Sequence, residues 1–169
     1  MPTTSPRLHG KAGSSVRRDK RVAPAGQEEI HGAMRPGALY GMKYQIPAML
    51  EAGGGAIVNM ASILGAVAWA GNAAYVTSKH AMIGMTKTAA LDYASQGIRI
   101  NAVGPAFVDT PALLKDMSED ERAALAGLHA LNRLARPEEI AGFTSFLLSD
   151  RASFMTGTYY PVDGGYLAR

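Results

Sequence analysis

The sequence has 169 residues, of which 47% are hydrophobic and 18% are charged. These values are those of one globular domain with a buried core. The absence of cysteine excludes disulfide bonds and thiolate metal sites. The four histidines are too widely spaced for a common zinc motif, so we expect no metal ion.

The formal net charge of +3 arises from the first part of the chain. Residues 1–35 contain seven Lys or Arg and three acidic residues, whereas the remainder contains ten and eleven, respectively. A nearly neutral remainder argues against a nucleic-acid partner. No apolar run is long enough for a transmembrane helix, and the first residues lack the apolar core of a secretory signal. We therefore expect no membrane partner and a cytoplasmic location.

Residues 1–35 show no apolar periodicity and are repeatedly interrupted by Pro and Gly. We predict a disordered leader there, followed by one domain over residues 36–169. The first part of the leader is basic and free of acids, so it also weakly resembles a transit peptide. A frameshifted or truncated gene explains the abrupt change near residue 36 better than a functional leader does.

From Leu39 onwards, the apolar pattern predicts helices that alternate with strands. Apolar residues recur at helical spacing from Leu39 to about Glu51, and three consecutive glycines then end the helix. Residues 56–61 are apolar on both faces, which is typical of a strand that is covered on each side. This alternation predicts an α/β fold with a parallel sheet. The further predicted elements are a helix at 73–96, a strand at 98–103, helices at 118–131 and from Pro137, and a strand at 158–162.

Tyr75 and Lys79 are four residues apart on the predicted helix at 73–96, so both side chains project from one face. A tyrosine hydroxyl with its usual pKa of about 10 exchanges protons poorly at neutral pH, but a neighbouring ammonium favours the phenolate. The pair is therefore a candidate general acid or base. The spacing alone equally describes a surface pair without a chemical role.

Ser62 follows the predicted buried strand directly. Open parallel sheets place their ligand sites at the carboxyl ends of the strands, so Ser62 is a candidate site residue. A serine in this position also commonly caps a turn. The single tryptophan, Trp69, lies in the loop before Tyr75, where it either lines a pocket or packs within its loop.

Three motifs follow one another along the chain and carry these candidates. Together they resemble successive motifs of the short-chain dehydrogenases/reductases, and the similarity extends from about Gly41 to Arg169. The resemblance implies a Rossmann-like, doubly wound parallel sheet and an NAD(P)-dependent oxidoreductase acting on a small alcohol or ketone. The motifs are Asn59-Met60-Ala61-Ser62, Tyr75-Val76-Thr77-Ser78-Lys79 and Asn101-Ala102-Val103-Gly104-Pro105.

The resemblance also implies roles for individual residues. The catalytic set would be Ser62, Tyr75 and Lys79. Tyr75 would exchange a proton with the substrate oxygen, Ser62 would hydrogen-bond that oxygen, and Lys79 would assist Tyr75 while binding the nicotinamide ribose. The residues implied in binding NAD or NADP are Tyr75, Lys79, Pro105, Val108 and Thr110.

The glycine-rich turn that binds the cofactor pyrophosphate in this family has no counterpart in the sequence. We therefore expect a truncated sheet of about three strands, with cofactor binding weakened or lost. The strand at 56–61 would then form an open apolar edge of the sheet. Two functions follow: an oxidoreductase, or a non-catalytic fragment. We expect a homo-oligomer, a dimer or tetramer, that forms through the small-residue helix at 73–96. The non-catalytic fragment would associate only with itself or with full-length relatives.

Overall fold

A computed structural model describes residues 37–115 and 117–168. The predicted leader at 1–35 lies outside these residues. In the part of the chain that is described, no helix is long and apolar enough to cross a membrane. The elements in chain order are α1 (Gly37–Glu51), β1 (Gly55–Met60), α2 (Ala73–Tyr93), β2 (Ile98–Pro105), α3 (Pro111–Leu114), α4 (Glu119–Gly127), α5 (Pro137–Leu148) and β3 (Tyr159–Val162).

The three strands form one parallel sheet in the order β1-β2-β3. Gly55 of β1 pairs with Ile98 of β2, and Ala102 of β2 pairs with Tyr159 of β3. The predicted α/β fold with about three parallel strands is thereby confirmed.

Helices cover both faces of the sheet because the side chains of β2 alternate between them. Ile98 and Ile100 are fully buried against α1 and α2 on one face. Val103 is equally buried on the other face, where it packs with Ile140 and Leu147 of α5. A sheet with helices on both faces is the doubly wound arrangement that the sequence predicted.

β1 is an edge strand among the described residues, as predicted, because it pairs only with β2. Most of its side chains are nevertheless at least partly covered, and Ile57 packs in the layer beneath α1 and α2. Asn59 is also buried and donates a 2.9 Å hydrogen bond to Oγ1 of Thr86 on α2. The open part of this edge is therefore mainly backbone, and Met60 is its exposed apolar side chain.

Two helix ends show how the sequence sets the boundaries. Helix α2 continues as a short 3-10 turn and stops at Gly97, whose φ of 80° lies in the left-handed region that favours glycine. Helix α4 begins at a capping box formed by Ser118 and Glu121. It ends before the predicted limit at Leu131, because the amide of Leu131 donates to the carbonyl of Gly164 in the carboxyl-terminal turn.

Buried polar groups hold the segment between α5 and β3 against β2. The side-chain amide of Asn101 donates to the carbonyl of Met155 at 2.7 Å, and its oxygen accepts from the amide of Thr158 at 3.2 Å. The Arg99 guanidinium donates to the carbonyl of Leu147 at 2.8 Å at the end of α5. These bonds give the motif asparagine a structural role in positioning β3.

Replacing Asn101 with Ala should destabilise the fold, because it leaves a partly buried amide and a partly buried carbonyl without their partner. Each unsatisfied buried group costs about 1–3 kcal/mol. Urea unfolding followed by circular dichroism measures the loss. Asn72→Ala, at an exposed asparagine with one weak 3.5 Å bond, is the matched control and should change stability little. Equal effects of the two substitutions would contradict this role of Asn101.

Candidate active site

The carboxyl ends of β1 and β2 meet at one edge of the sheet, and Ser62 lies there. The amide of Ala61 donates to the carbonyl of Val103 at 2.7 Å, which extends the strand pairing up to the serine. Ser62 is buried and begins a 3-10 turn, and its Oγ accepts a 3.2 Å bond from the amide of Leu64. This bond uses a lone pair of the oxygen, so the hydroxyl hydrogen can be donated to a ligand. The serine is therefore both a turn cap and a candidate site residue.

Tyr75 and Lys79 lie on the first two turns of α2 and share one face. The Lys79 ammonium is 5.4 Å from the centroid of the Tyr75 ring and donates a 2.9 Å hydrogen bond to the carbonyl of Met60. The lysine is half-buried, and burial lowers its pKa because a charged amine loses hydration there. Tyr75 is 44% exposed, so its ring reaches the open side of the site.

A cavity of about 320 Å³ lies where Ser62 and Tyr75 come together. This volume is at the lower end of the range for small-molecule sites. Of the residues that the structure describes, none that lines the cavity carries a charge. The lining residues are Ser62, Ile63, Leu64, Tyr75, Ala106, Phe107, Val108, Thr110 and Leu113.

The loop after β2 contributes two of the predicted cofactor residues to this cavity. Val108 forms a backbone bridge with Ala135, which anchors the loop beside α5. Thr110 caps the short helix α3, and its Oγ1 accepts a 3.3 Å bond from the amide of Leu113. The other two predicted cofactor residues outside the loop, Pro105 and Lys79, are not among the lining residues. Pro105 lies at the end of β2, and the Lys79 ammonium is bonded to the carbonyl of Met60 at the end of β1.

Phe107 is a lining residue that the sequence analysis did not identify. Its ring makes edge-to-face contacts with Trp69 at 5.6 Å, His129 at 5.8 Å and Tyr166 at 6.1 Å between ring centroids. The three partners come from separate parts of the chain, so no local pattern could predict the cluster. Trp69 is not a lining residue, and its ring contacts Phe107 from another loop rather than only its own.

Tyr159 is a second residue that sequence reasoning missed, and it supports Ser62 from beneath. Its hydroxyl, on β3, donates a 2.9 Å hydrogen bond to the carbonyl of Ser62. The ring crosses β2 at Gly104, where a Cβ atom would collide with it. Burial, together with the charge of Asp163, raises the pKa of Tyr159 to about 12. The glycine of the third motif therefore makes room for the tyrosine that anchors the serine.

Tyr159→Phe should lower the free energy of unfolding at pH 8 by about 1 kcal/mol, because one hydrogen bond is lost. Between pH 10 and 12 the hydroxyl is ionised in the unfolded chain but stays protonated in the folded protein. The wild type therefore loses stability as the pH rises through this window. Urea unfolding at pH 8 and pH 11 should show the advantage of the wild type shrinking, whereas an unchanged difference would contradict the raised pKa.

Comparison with known proteins identifies the family. The family described as enoyl-(acyl carrier protein) reductase, a branch of the short-chain dehydrogenases/reductases, matches residues 12–167. The chain therefore belongs to the short-chain dehydrogenase/reductase family. The match begins within the segment assigned to the leader, which is earlier than the similarity at Gly41 that the motifs alone indicated.

Individual relatives cover most of this chain but only half of their own length. A cyclohexanol dehydrogenase of an Acinetobacter species is 50% identical over 78% of this chain and 51% of its own. A cis-4-hydroxycyclohexanecarboxylate dehydrogenase of Sinomonas cyclohexanicum is 48% identical over 75% and 50%, respectively. The NADP-bound structure of ElxO superposes with a TM-score of 0.72 at 36% identity, covering 76% of this chain and 52% of that one. The chain thus spans about half the length of the relatives it matches.

Proposed function

We propose that the chain carries the proton-transfer site of an NAD(P)-dependent oxidoreductase that interconverts a secondary alcohol and a ketone. The observation that carries the proposal is the convergence of Ser62 and Tyr75 on one uncharged cavity, with the Lys79 ammonium 5.4 Å from the tyrosine ring. The family match and the dehydrogenase relatives support the same reaction class.

Each of the three side chains has a defined task in alcohol oxidation. As the carbinol C–H bond and the substrate O–H bond break, the oxygen of Tyr75 accepts the hydroxyl proton and a ketone forms. The Ser62 hydroxyl donates to the substrate oxygen and holds it beside Tyr75. The Lys79 ammonium stabilises negative charge on the tyrosine oxygen, and its bond to Met60 fixes its position.

The described residues fit the nicotinamide end of NAD(P). Tyr75, Val108 and Thr110 line the cavity, and the Lys79 ammonium lies 5.4 Å from the Tyr75 ring. When bound there, the cofactor would supply or accept the hydride. Within residues 37–115 and 117–168, no glycine-rich turn leads directly from a strand into a helix. We therefore propose that these residues hold the nicotinamide and its ribose and bind the rest of the cofactor weakly.

The proposed substrate is a small molecule that carries its alcohol on a six-membered carbon ring. Two similar proteins are named for such substrates, cyclohexanol and cis-4-hydroxycyclohexanecarboxylate. The apolar side chains of Leu64, Phe107 and Leu113 offer a surface of matching chemistry beside Ser62. Burial of a saturated ring against them contributes through the hydrophobic effect.

Tyr75→Phe should reduce the rate of cyclohexanol oxidation by at least about 100-fold, because the ring remains but the proton acceptor is lost. The assay follows the absorbance of the reduced nicotinamide with NAD or NADP in excess. Tyr44→Phe removes the same hydroxyl from an exposed tyrosine on α1 and should leave the rate unchanged. A Tyr75→Phe variant as fast as the wild type would contradict the assigned role.

Because the proposed site contacts only the nicotinamide end, the complete dinucleotide and the nicotinamide mononucleotide should bind with similar affinities. Dissociation constants of NADH, NADPH and reduced nicotinamide mononucleotide should agree within about tenfold, a difference of about 1.4 kcal/mol. Quenching of Trp69, the single tryptophan and a neighbour of the cavity-lining Phe107, measures them. NADH binding about 100-fold tighter than the mononucleotide would contradict the proposal.

The second candidate function is a non-catalytic fragment that associates through α2. A groove between α1 and α2 favours it. Leu39 of α1 and Tyr93 of α2 line this groove together with the charged Lys43 and Asp92, and Leu91 of α2 is exposed. This alternative expects oligomers without nucleotide affinity. Oligomers in sedimentation velocity, together with no quenching of Trp69 by any nucleotide, would favour it over the oxidoreductase.

A further inference from the structure

We infer that the cavity beside Ser62 and Tyr75 selects electrically neutral alicyclic alcohols and ketones and rejects ring substrates that carry a carboxylate. The inference rests on the proposed function and names the substrate class of that same site. It separates this chain from the relative that is named for a carboxylated ring, although the two are 48% identical.

The polar side chains that line the cavity are few, and none of them carries a charge. Three lining side chains carry a hydroxyl, and two of them, Ser62 and Tyr75, are the groups assigned to the reacting oxygen. The third, Thr110, accepts the amide of Leu113 as a helix cap, so its hydroxyl can still donate a hydrogen bond but brings no positive charge to the cavity. A carboxylate elsewhere on the ring would therefore lie against apolar side chains, with no charged partner among the described lining residues. Burial of an unpaired carboxylate is strongly unfavourable.

Among the described residues, the cations close to the cavity do not line it. Arg122, for example, donates a 3.3 Å hydrogen bond to the carbonyl of Leu114. Lys79 is not a lining residue, and its ammonium is bonded to the carbonyl of Met60. Lys115 lies in a neighbouring cavity of about 240 Å³ that it shares with Glu121. Leu113 lines both cavities and therefore separates the ring surface from this lysine. The leucine is the position at which a change of charge would alter the cavity most directly.

The apolar wall is also held in place by its packing. The Phe107 ring is fixed by three edge-to-face contacts, to Trp69, His129 and Tyr166. Leu64 belongs to the segment that Ser62 caps, since its amide donates to the serine oxygen. A wall with this support cannot easily withdraw to admit water to a buried carboxylate, so it discriminates by both shape and polarity.

The test compares cyclohexanol with cis-4-hydroxycyclohexanecarboxylate in the wild type and in Leu113→Arg. We expect kcat/KM of the wild type to favour cyclohexanol by about 100-fold or more, because the missing charge partner penalises the acid. Leu113→Arg places a guanidinium in the cavity and should shift this ratio toward the acid by at least about tenfold. Leu113→Gln, of similar length but uncharged, is the matched control and should not produce the shift.

Binding of the two ketones, cyclohexanone and 4-oxocyclohexanecarboxylate, is measured in parallel by saturation-transfer NMR with the unmodified chain. Saturation transfer to the ring protons of cyclohexanone, but not to those of 4-oxocyclohexanecarboxylate, supports the inference. If this result is obtained without turnover, the inference stands and only the proposed activity fails. Equal binding or turnover of the neutral and acidic compounds overturns the inference and leaves the oxidoreductase intact. Failure to bind either ketone also overturns it.

Discussion

The hydrogen bond from the Lys79 ammonium to the carbonyl of Met60 connects the two elements on which the site depends. It joins α2 to the last residue of β1 at 2.9 Å, two residues before Ser62. Because the lysine is four residues from Tyr75 on the helix, this bond also sets the height of the tyrosine above the end of the strand. The serine and the tyrosine meet at the cavity because strand and helix are held in this register.

The sheet supports the same site from the other side. Gly104 lets the Tyr159 ring cross β2, and the tyrosine hydroxyl then bonds to the carbonyl of Ser62. Asn101, three residues earlier on β2, holds the segment that leads into β3. Residues of the Asn-Ala-Val-Gly-Pro motif thus support the serine and its surroundings through packing and hydrogen bonds.

The elements and the main candidates could be predicted because their signals are local. Apolar periodicity located the helices and strands, Gly97 marked the end of α2, and the four-residue spacing placed Tyr75 beside Lys79. The wall of the cavity could not be predicted, since Phe107 is packed by rings that lie far apart in sequence. The end of α4 was predicted too late because it depends on a backbone bond to the carboxyl-terminal turn.

The most direct test of the account is isotope transfer from cyclohexanol deuterated at the carbinol carbon. After incubation of the 169-residue chain with NAD or NADP, mass spectrometry and proton NMR of the recovered cofactor report whether deuterium has reached C4 of the nicotinamide. The account predicts transfer by the wild type and a large reduction in Lys79→Met, in which the bond to the end of β1 is lost. Equal transfer by both folded proteins, or none by the wild type, would contradict it.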